Sequence, residues 1–417
     1  MRESIPAATP RALEGLKVLD LSRILAAPAA AQLLGDFGAE VIKVERPGKG
    51  DDSRRAGGTP YRATDGSMTD LAPMYLAANR NKRSVCIDLS RPEGQDLVRR
   101  LALRADVLIE NYKVGDLARY GLDYASLSAL NPRLIYCSVT GFGQTGPYAD
   151  RPGFDSIFQG MSGLMSTIGH PDDAPGGGPM RMGVPLTDFI GGLYAFSAIM
   201  VALNWRDRVS ARGQHIDLGL LDGAVSALTI AAGNYFTSGM VFERHGNEAS
   251  TGVPSQSFRA ADGVFLVTAP TDDSFRRFCR AIGRDDLPGD ARYANSFERV
   301  RNRATLIPLL EGILAGRSCA EWLAAFEENA VPATPIHDVA QAFADPQVRA
   351  RGNVVTQPHP LVGTIRFPAN PLHLSETPVR DYTPPPGLGE HTDAVLRDAL
   401  GLDAPAIAAL RKQGVIA

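Results

Sequence analysis

The sequence is poor in the residues that build metal and disulfide frameworks. Its four cysteines, Cys86, Cys137, Cys279 and Cys319, stand far apart with no CxxC pair, so neither a zinc site nor a disulfide scaffold is expected. Seven histidines are scattered without the HExxH type of ligand spacing. An excess of either charge is missing as well. The 43 basic and 46 acidic residues leave a net −3, which gives no global attraction to nucleic acid or to an anionic membrane. The first ten residues hold no apolar segment of the secretory kind, so a cytoplasmic protein is expected. The longest apolar stretch, around Phe189 to Leu203, is shorter than a membrane span and contains two glycines; it reads as a buried helix. Also absent is a GxGxxG after the first strand-like segment. "SRILAAPAA" stands there instead, and no dinucleotide cofactor is expected.

What is present is a globular composition, 44% hydrophobic and 21% charged, on a chain too long for one ordinary core. The first 145 residues alternate strand-like and helix-like segments. "LKVLDLS", "AEVIKVE", "SVCIDL", "ADVLIEN" and "LIYCSVTGF" read as buried strands, with helices in "PAAAQLLGDFG" and from Pro92. Such alternation predicts a parallel sheet covered on both faces, a Rossmann-like α/β architecture. "GHPDDAPGGGP" is a loop by composition, and "RDRVSARGQHID" reads as a polar connector. A second, α+β region begins near Gly252. The Pro-rich "YTPPPGLGEHT" then leads into a helical tail.

Among residues able to carry chemistry, Asp188 is the single charge in "GVPLTDFIGGLYA". One reading makes it a helix N-cap that accepts backbone N–H bonds. Another makes it a covalent nucleophile, with Gly191 and Gly192 letting a large substrate approach the backbone. The two are compatible. Arg46 and Asn111 fall at carboxyl ends of strands, where open parallel sheets bind ligands, and Arg119 follows soon after. Arginines so placed suit phosphate, although each alone also fits an ordinary solvated surface. Met161 and Met165 are spaced to line a pocket or a core.

Five segments make the chain resemble the class III CoA-transferases, the CaiB/BaiF-type family, over nearly its whole length. They are "LEGLKVLDLSRILAAPAAAQLLGDFGAEVIKVERPGKGDDSR", "NRNKRSVCIDL", "IENYKVGDLARYGL", "GVPLTDFIGGLYA" with "RGQHIDLGLLDGA", and "GLGEHT". The resemblance implies a large Rossmann-like domain whose parallel sheet is built from both chain ends, plus a smaller α+β domain. In this sequence those would be residues 1–205, a linker 206–225, a small domain 226–335, and a returning segment 336–417. It also implies an interlocked homodimer. Asp188 would be the nucleophile, passing through acyl–aspartyl anhydride and aspartyl-CoA thioester intermediates. Arg46, Asn111, Arg119 and backbone from Ile87 to Ser90 would contact CoA. Coenzyme A esters would enter as substrates, with no permanently bound cofactor.

Departures from the family pattern bear on specificity. Oxalate-using members carry glutamine where Leu25 stands, and their tetraglycine loop is replaced by "TGVPSQSFRAADG". Racemases of the family carry histidine in "GHD", where this chain has Phe154 in "GFD". A phenyl ring exchanges no proton, which disfavours a racemase. A catalytically silent CoA-binding protein is disfavoured by the presence of Asp188. The look of "MRMGVPLTDFIGGLYA" points to C4 to C5 dicarboxylates such as succinyl-CoA. Arg181 is then a candidate partner for the distal carboxylate, or else a solvated loop residue.

Overall fold

Short runs rich in Val, Ile and Leu become strands that are buried from both sides. The computed structural model describes residues 10–417. Six parallel strands form the main sheet: β1 (Lys17–Asp20), β2 (Glu40–Glu45), β3 (Arg83–Cys86), β4 (Val107–Glu110), β5 (Ile135–Thr140) and β6 (His215–Gly219). Their order is β3-β2-β1-β4-β5-β6. Every residue of β4 and β5 is buried, as expected where helices cover both faces. Period-2 alternation sends neighbours to opposite cores. Val18 and Val107 join one core with α1 (Ala26–Asp36) and its neighbours, while Leu19 and Leu108 join the other with α3 (Pro92–Ala102). Between them in sequence lies α2 (Pro73–Ala78), followed after β4 by α4 (Tyr124–Leu130).

After β5 come α5 (Asp155–Met161) and α6 (Leu186–Trp205), then β6 and α7 (Leu220–Ser226). The crossover helix α6 packs on α1 through glycine. A Cβ on Gly192 would stand 2.9 Å from the Ala26 carbonyl oxygen, and one on Gly191 would stand 2.3 Å from Leu220 Cδ2. The two glycines are therefore contact points between helices. This corrects the expectation that they hold backbone open for substrate. At 20 residues α6 is also longer than the sequence reading allowed, and it is long and apolar enough to cross a membrane by those criteria alone. Less than half of it is buried within the chain. Phe189, Leu193, Tyr194, Val201 and Trp205 are exposed.

The chain divides into two compact units. Among the described residues the first comprises 10–164, 181–233 and 349–417; the second comprises 165–180 and 234–348. Three expectations need correction. The stretch 206–225, expected as a linker, carries β6 and α7 and belongs to the first unit. The small unit is α+β as expected, but it runs to residue 348 and takes in the glycine-rich loop. And the main sheet draws no strand from the C-terminal segment. That segment contributes a hairpin (Val354–His359 with Gly363–Pro368) and helices Thr392–Leu400 and Ala404–Lys412. It is stitched to the sheet by an isolated Ile87–Ile416 bridge and by the Asp88 N–H donating to the Val415 carbonyl at 2.8 Å. Buried Arg54 adds a tie: it pairs with Glu45 at 2.7 Å and donates to the Pro386 carbonyl at 3.2 Å.

The second unit has a three-stranded antiparallel sheet, Ser255–Arg259, Val264–Thr268 and Ala333–Pro335. Its core is aromatic, with Phe258, Phe265, Phe275, Phe278, Trp322 and Phe326 all buried.

Candidate active site

The order of the main sheet reverses between β1 and β4, so a crevice opens outside their carboxyl ends, the usual ligand position in such sheets. A crossover helix runs back against the strands, which brings the N-terminus of α6 to the same end. Asp188 sits in its first turn. The cleft there has a volume of about 300 Å³. Asp188, Leu25, Asn111, Phe154, Asp155 and Arg151 are among the residues that line it. A neighbouring pocket of about 170 Å³ is lined by Arg46, Ile87, Ser90, Tyr112 and Tyr120 among others. Arg23 and Tyr112 belong to both walls.

Asp188 is half-buried and accepts no hydrogen bond from any described residue. It is not the cap of its helix. Pro185 holds the N-cap position, and the first-turn N–H of Thr187 is taken by Asp155 of α5 at 2.8 Å, with the Thr187 hydroxyl at 2.7 Å. The N-cap reading of Asp188 is thus replaced by a cap supplied from another helix. Burial, and then the charge of Asp155, push the Asp188 carboxyl up to about 7. A carboxylate that is ionisable near neutrality, yet unpaired, keeps its lone pairs for a substrate.

Beside the smaller pocket, which Asp51 lines, charge is buried in the sheet. Lys43 lies 2.9 Å from Asp51 and 3.9 Å from Asp20, all three side chains essentially inaccessible, and Lys82 reaches Asp20 at 2.8 Å. Burial opposes ionisation of Asp51, but Lys43 and the Ser53 N–H outweigh it and hold the carboxyl at about 2. Asp51 in turn accepts the Ile24 N–H at 3.1 Å. Beneath the cleft Phe158 is fully buried, and Gly141 and Gly153 approach its ring so closely that a Cβ on either would stand 2.7 or 2.4 Å from it.

The structure brings most of the sequence-derived residues to these two pockets. Arg46, Ile87 and Ser90 share the smaller one, where Arg46 contacts Asp52 at 2.6 Å. Ile87 is buried and its N–H is bonded to the Glu45 carbonyl; the Ser90 N–H is held by Asp88. Asn111 lies instead in the Asp188 cleft, and its amide is engaged with the backbone of Arg23. Arg119 is exposed, paired with Asp116 at 2.7 Å, and lines neither pocket, although its neighbour Tyr120 does. Arg181 is exposed and outside both linings. Sequence reasoning missed Asp155 and Arg151. The "GFD" that drew attention to Phe154 holds the first of these, and Arg151 lies two residues before that segment. Arg151 stacks 3.8 Å from the Tyr148 ring. Among the described residues no cluster of three or more His, Cys, Asp or Glu is arranged to hold a metal.

Comparison with known proteins gives the family. The profile of CoA-transferase family III matches residues 13–392. A succinate–glutarate CoA-transferase of Agrobacterium fabrum (strain C58) is 44% identical over 93% of this chain and 95% of its own length. The mouse succinyl-CoA:glutarate CoA-transferase is 40% identical over 97% of this chain and 90% of its own. A crystal structure of a CaiB/BaiF family protein from Brucella suis superposes with a TM-score of 0.83 at 42% identity, covering 94% of this chain and all of that one. The chain belongs to CoA-transferase family III and is a CoA-transferase.

Proposed function

We propose that the chain moves CoA from a C4 or C5 dicarboxylyl-CoA, succinyl-CoA foremost, to a C4 or C5 dicarboxylic acid such as glutarate, with Asp188 as the covalent nucleophile. The observation that carries the reading is Asp188 itself: half-buried, its side chain without a partner among the described residues, in a cleft that shares Arg23 and Tyr112 with the Arg46 pocket. CoA would occupy the Arg46 pocket, and its thioester would reach the cleft.

An Asp188 oxygen attacks the thioester carbon, the C–S bond breaks, and CoA leaves as thiolate from an acyl–aspartyl anhydride. The thiolate attacks the aspartyl carbonyl and expels the donor carboxylate, leaving an aspartyl-CoA thioester. The acceptor carboxylate attacks that thioester and displaces the thiolate again. Finally the thiolate attacks the acceptor's acyl carbon and restores Asp188. Atoms and charge balance at each step without a metal or a redox partner.

A dicarboxylate needs a cation for its distal end. Arg151 and Lys113 are exposed like Arg181 but line the Asp188 cleft, which Arg181 does not, so they are the better placed. Names of the most similar relatives favour the same substrates, since two of them are titled for succinate or succinyl-CoA and glutarate. The exposed apolar side of α6 further suits burial against a second copy of the chain, in keeping with an interlocked homodimer.

The direct test is a donor–acceptor panel read by mass spectrometry of the CoA esters. Succinyl-CoA with glutarate, malate or citramalate should outpace acetyl-CoA or butyryl-CoA with monocarboxylates. Faster turnover with the monocarboxylyl esters would overturn the substrate class.

A further inference from the structure

Ile24 has φ +72°, a left-handed conformation that a β-branched residue avoids. Strain of this kind persists only where surrounding bonds over-determine it, and here they do. The Asn111 side chain takes both polar groups of the preceding residue: its Oδ1 accepts the Arg23 N–H at 2.9 Å, and its Nδ2 donates to the Arg23 carbonyl at 2.7 Å. Asp51 accepts the Ile24 N–H at 3.1 Å and is itself fixed by buried Lys43 at 2.9 Å. The next residues are Leu25 and Ala26, which line the Asp188 cleft, and Ala26 opens α1. Asn111 also bridges the ends of β1 and β4, the two strands between which the sheet order reverses.

We infer that Asn111 is a positioning residue for transfer: with Asp51 it holds the strained Ile24 turn, and so keeps Leu25 and the start of α1 in the wall of the reaction cleft. The inference rests on reading that cleft as the transfer site. It differs from a CoA-contact role, because the Asn111 amide is already engaged at both ends with protein backbone.

Three variants separate the two roles: Asn111→Ala, Ile24→Gly, and both together. Glycine adopts φ near +70° without strain, so it relieves the turn of its need for Asn111. Asn111→Ala should lower kcat by roughly 10- to 100-fold with the KM for succinyl-CoA changed less than about threefold, and the double variant should recover to within about fivefold of Ile24→Gly. Should the alanine variant fail to fold, Asn111→Asp keeps the acceptor for the Arg23 N–H but sets a carboxylate oxygen against the Arg23 carbonyl, and should show a kcat loss with the same rescue. A rise in KM at unchanged kcat, without rescue by glycine, would make Asn111 a CoA contact and overturn the inference. Thermal melts of the same set do not depend on activity. Non-additive Tm changes between positions 24 and 111 support the positioning link even if the wild-type enzyme transfers no CoA, a result that would sink the functional reading alone. Additive Tm changes refute the link whatever the activity.

Discussion

A carboxylate that is to attack a thioester must be ionised, and Asp188 is held against ionisation by burial and by Asp155. The free enzyme's kcat/KM for acyl-CoA should therefore climb with pH through about 7 and level off above it. A flat profile between pH 5 and 8 would remove Asp188 from the nucleophile role. Asp155→Asn keeps an acceptor for the Thr187 N–H but removes the neighbouring charge, so the rising limb should move to lower pH. Asp155→Ala removes the cap as well and should cost a further ~1 kcal/mol of stability. The same shift has a stability side. Folded Asp188 keeps its proton to about 7, whereas the unfolded chain releases it near 3.8, so stability falls as pH rises across that window. Asp188→Asn should abolish transfer, yet melt above wild type at pH 8, with the difference shrinking toward pH 4. Lower Tm for the asparagine variant at pH 8 would contradict the burial argument. At this scale the sequence drew attention to Asp188, because a lone charge in an apolar run stands out, and the structure puts it in the lining of a cleft. The sequence marked Asp155 badly. A cap donated by one helix to another has no spacing signature, since α5 and α6 are separated by the segment 165–180, which belongs to the second unit.

Between elements, α6 packs on α7 at Gly191 and on α1 at Gly192, two glycines that differ in what they touch. A Cβ at Gly191 meets the flexible end of Leu220, whereas one at Gly192 meets the Ala26 backbone at 2.9 Å and Ala29 Cβ at 3.3 Å. Alanine gains about 1 kcal/mol over glycine within a helix. That gain should nearly offset a displaced leucine methyl, but not the roughly 1–3 kcal/mol of forcing two helices apart. Gly191→Ala should thus be close to neutral in urea melts, and Gly192→Ala clearly destabilising with reduced kcat, because Ala26 also lines the cleft. The reverse order would show that the contact at Gly192 is soft. Most strands were legible as β-branched runs. β6 was not: its "HIDLG" is only partly buried at the sheet edge and its register on β5 comes from tertiary pairing. The length of α6 was hidden for a related reason. An apolar stretch with an exposed side looks, in one dimension, like one that is buried all round.

At the scale of the molecule, the exposed apolar side of α6 is the feature that a monomer leaves unexplained. A threaded dimer should keep its sedimentation coefficient over a hundredfold dilution, since separating the copies would require unfolding; a stable, active monomer would refute that assembly. The two-unit plan was readable from the change of pattern near Gly252, while the exact partition was not, because a segment joins a unit through contacts made hundreds of residues away. One such contact sets the order in which the protein can mature. The Arg46 pocket has Ile87 and Asp88 in its wall, and these are bonded to Val415 and Ile416. A ribosome adding about 5–20 residues per second needs on the order of tens of seconds to travel from one to the other. Through that interval the nascent sheet has β3 without the tail that braces its carboxyl end, so the wall of the Arg46 pocket is completed only after residue 416 has been made.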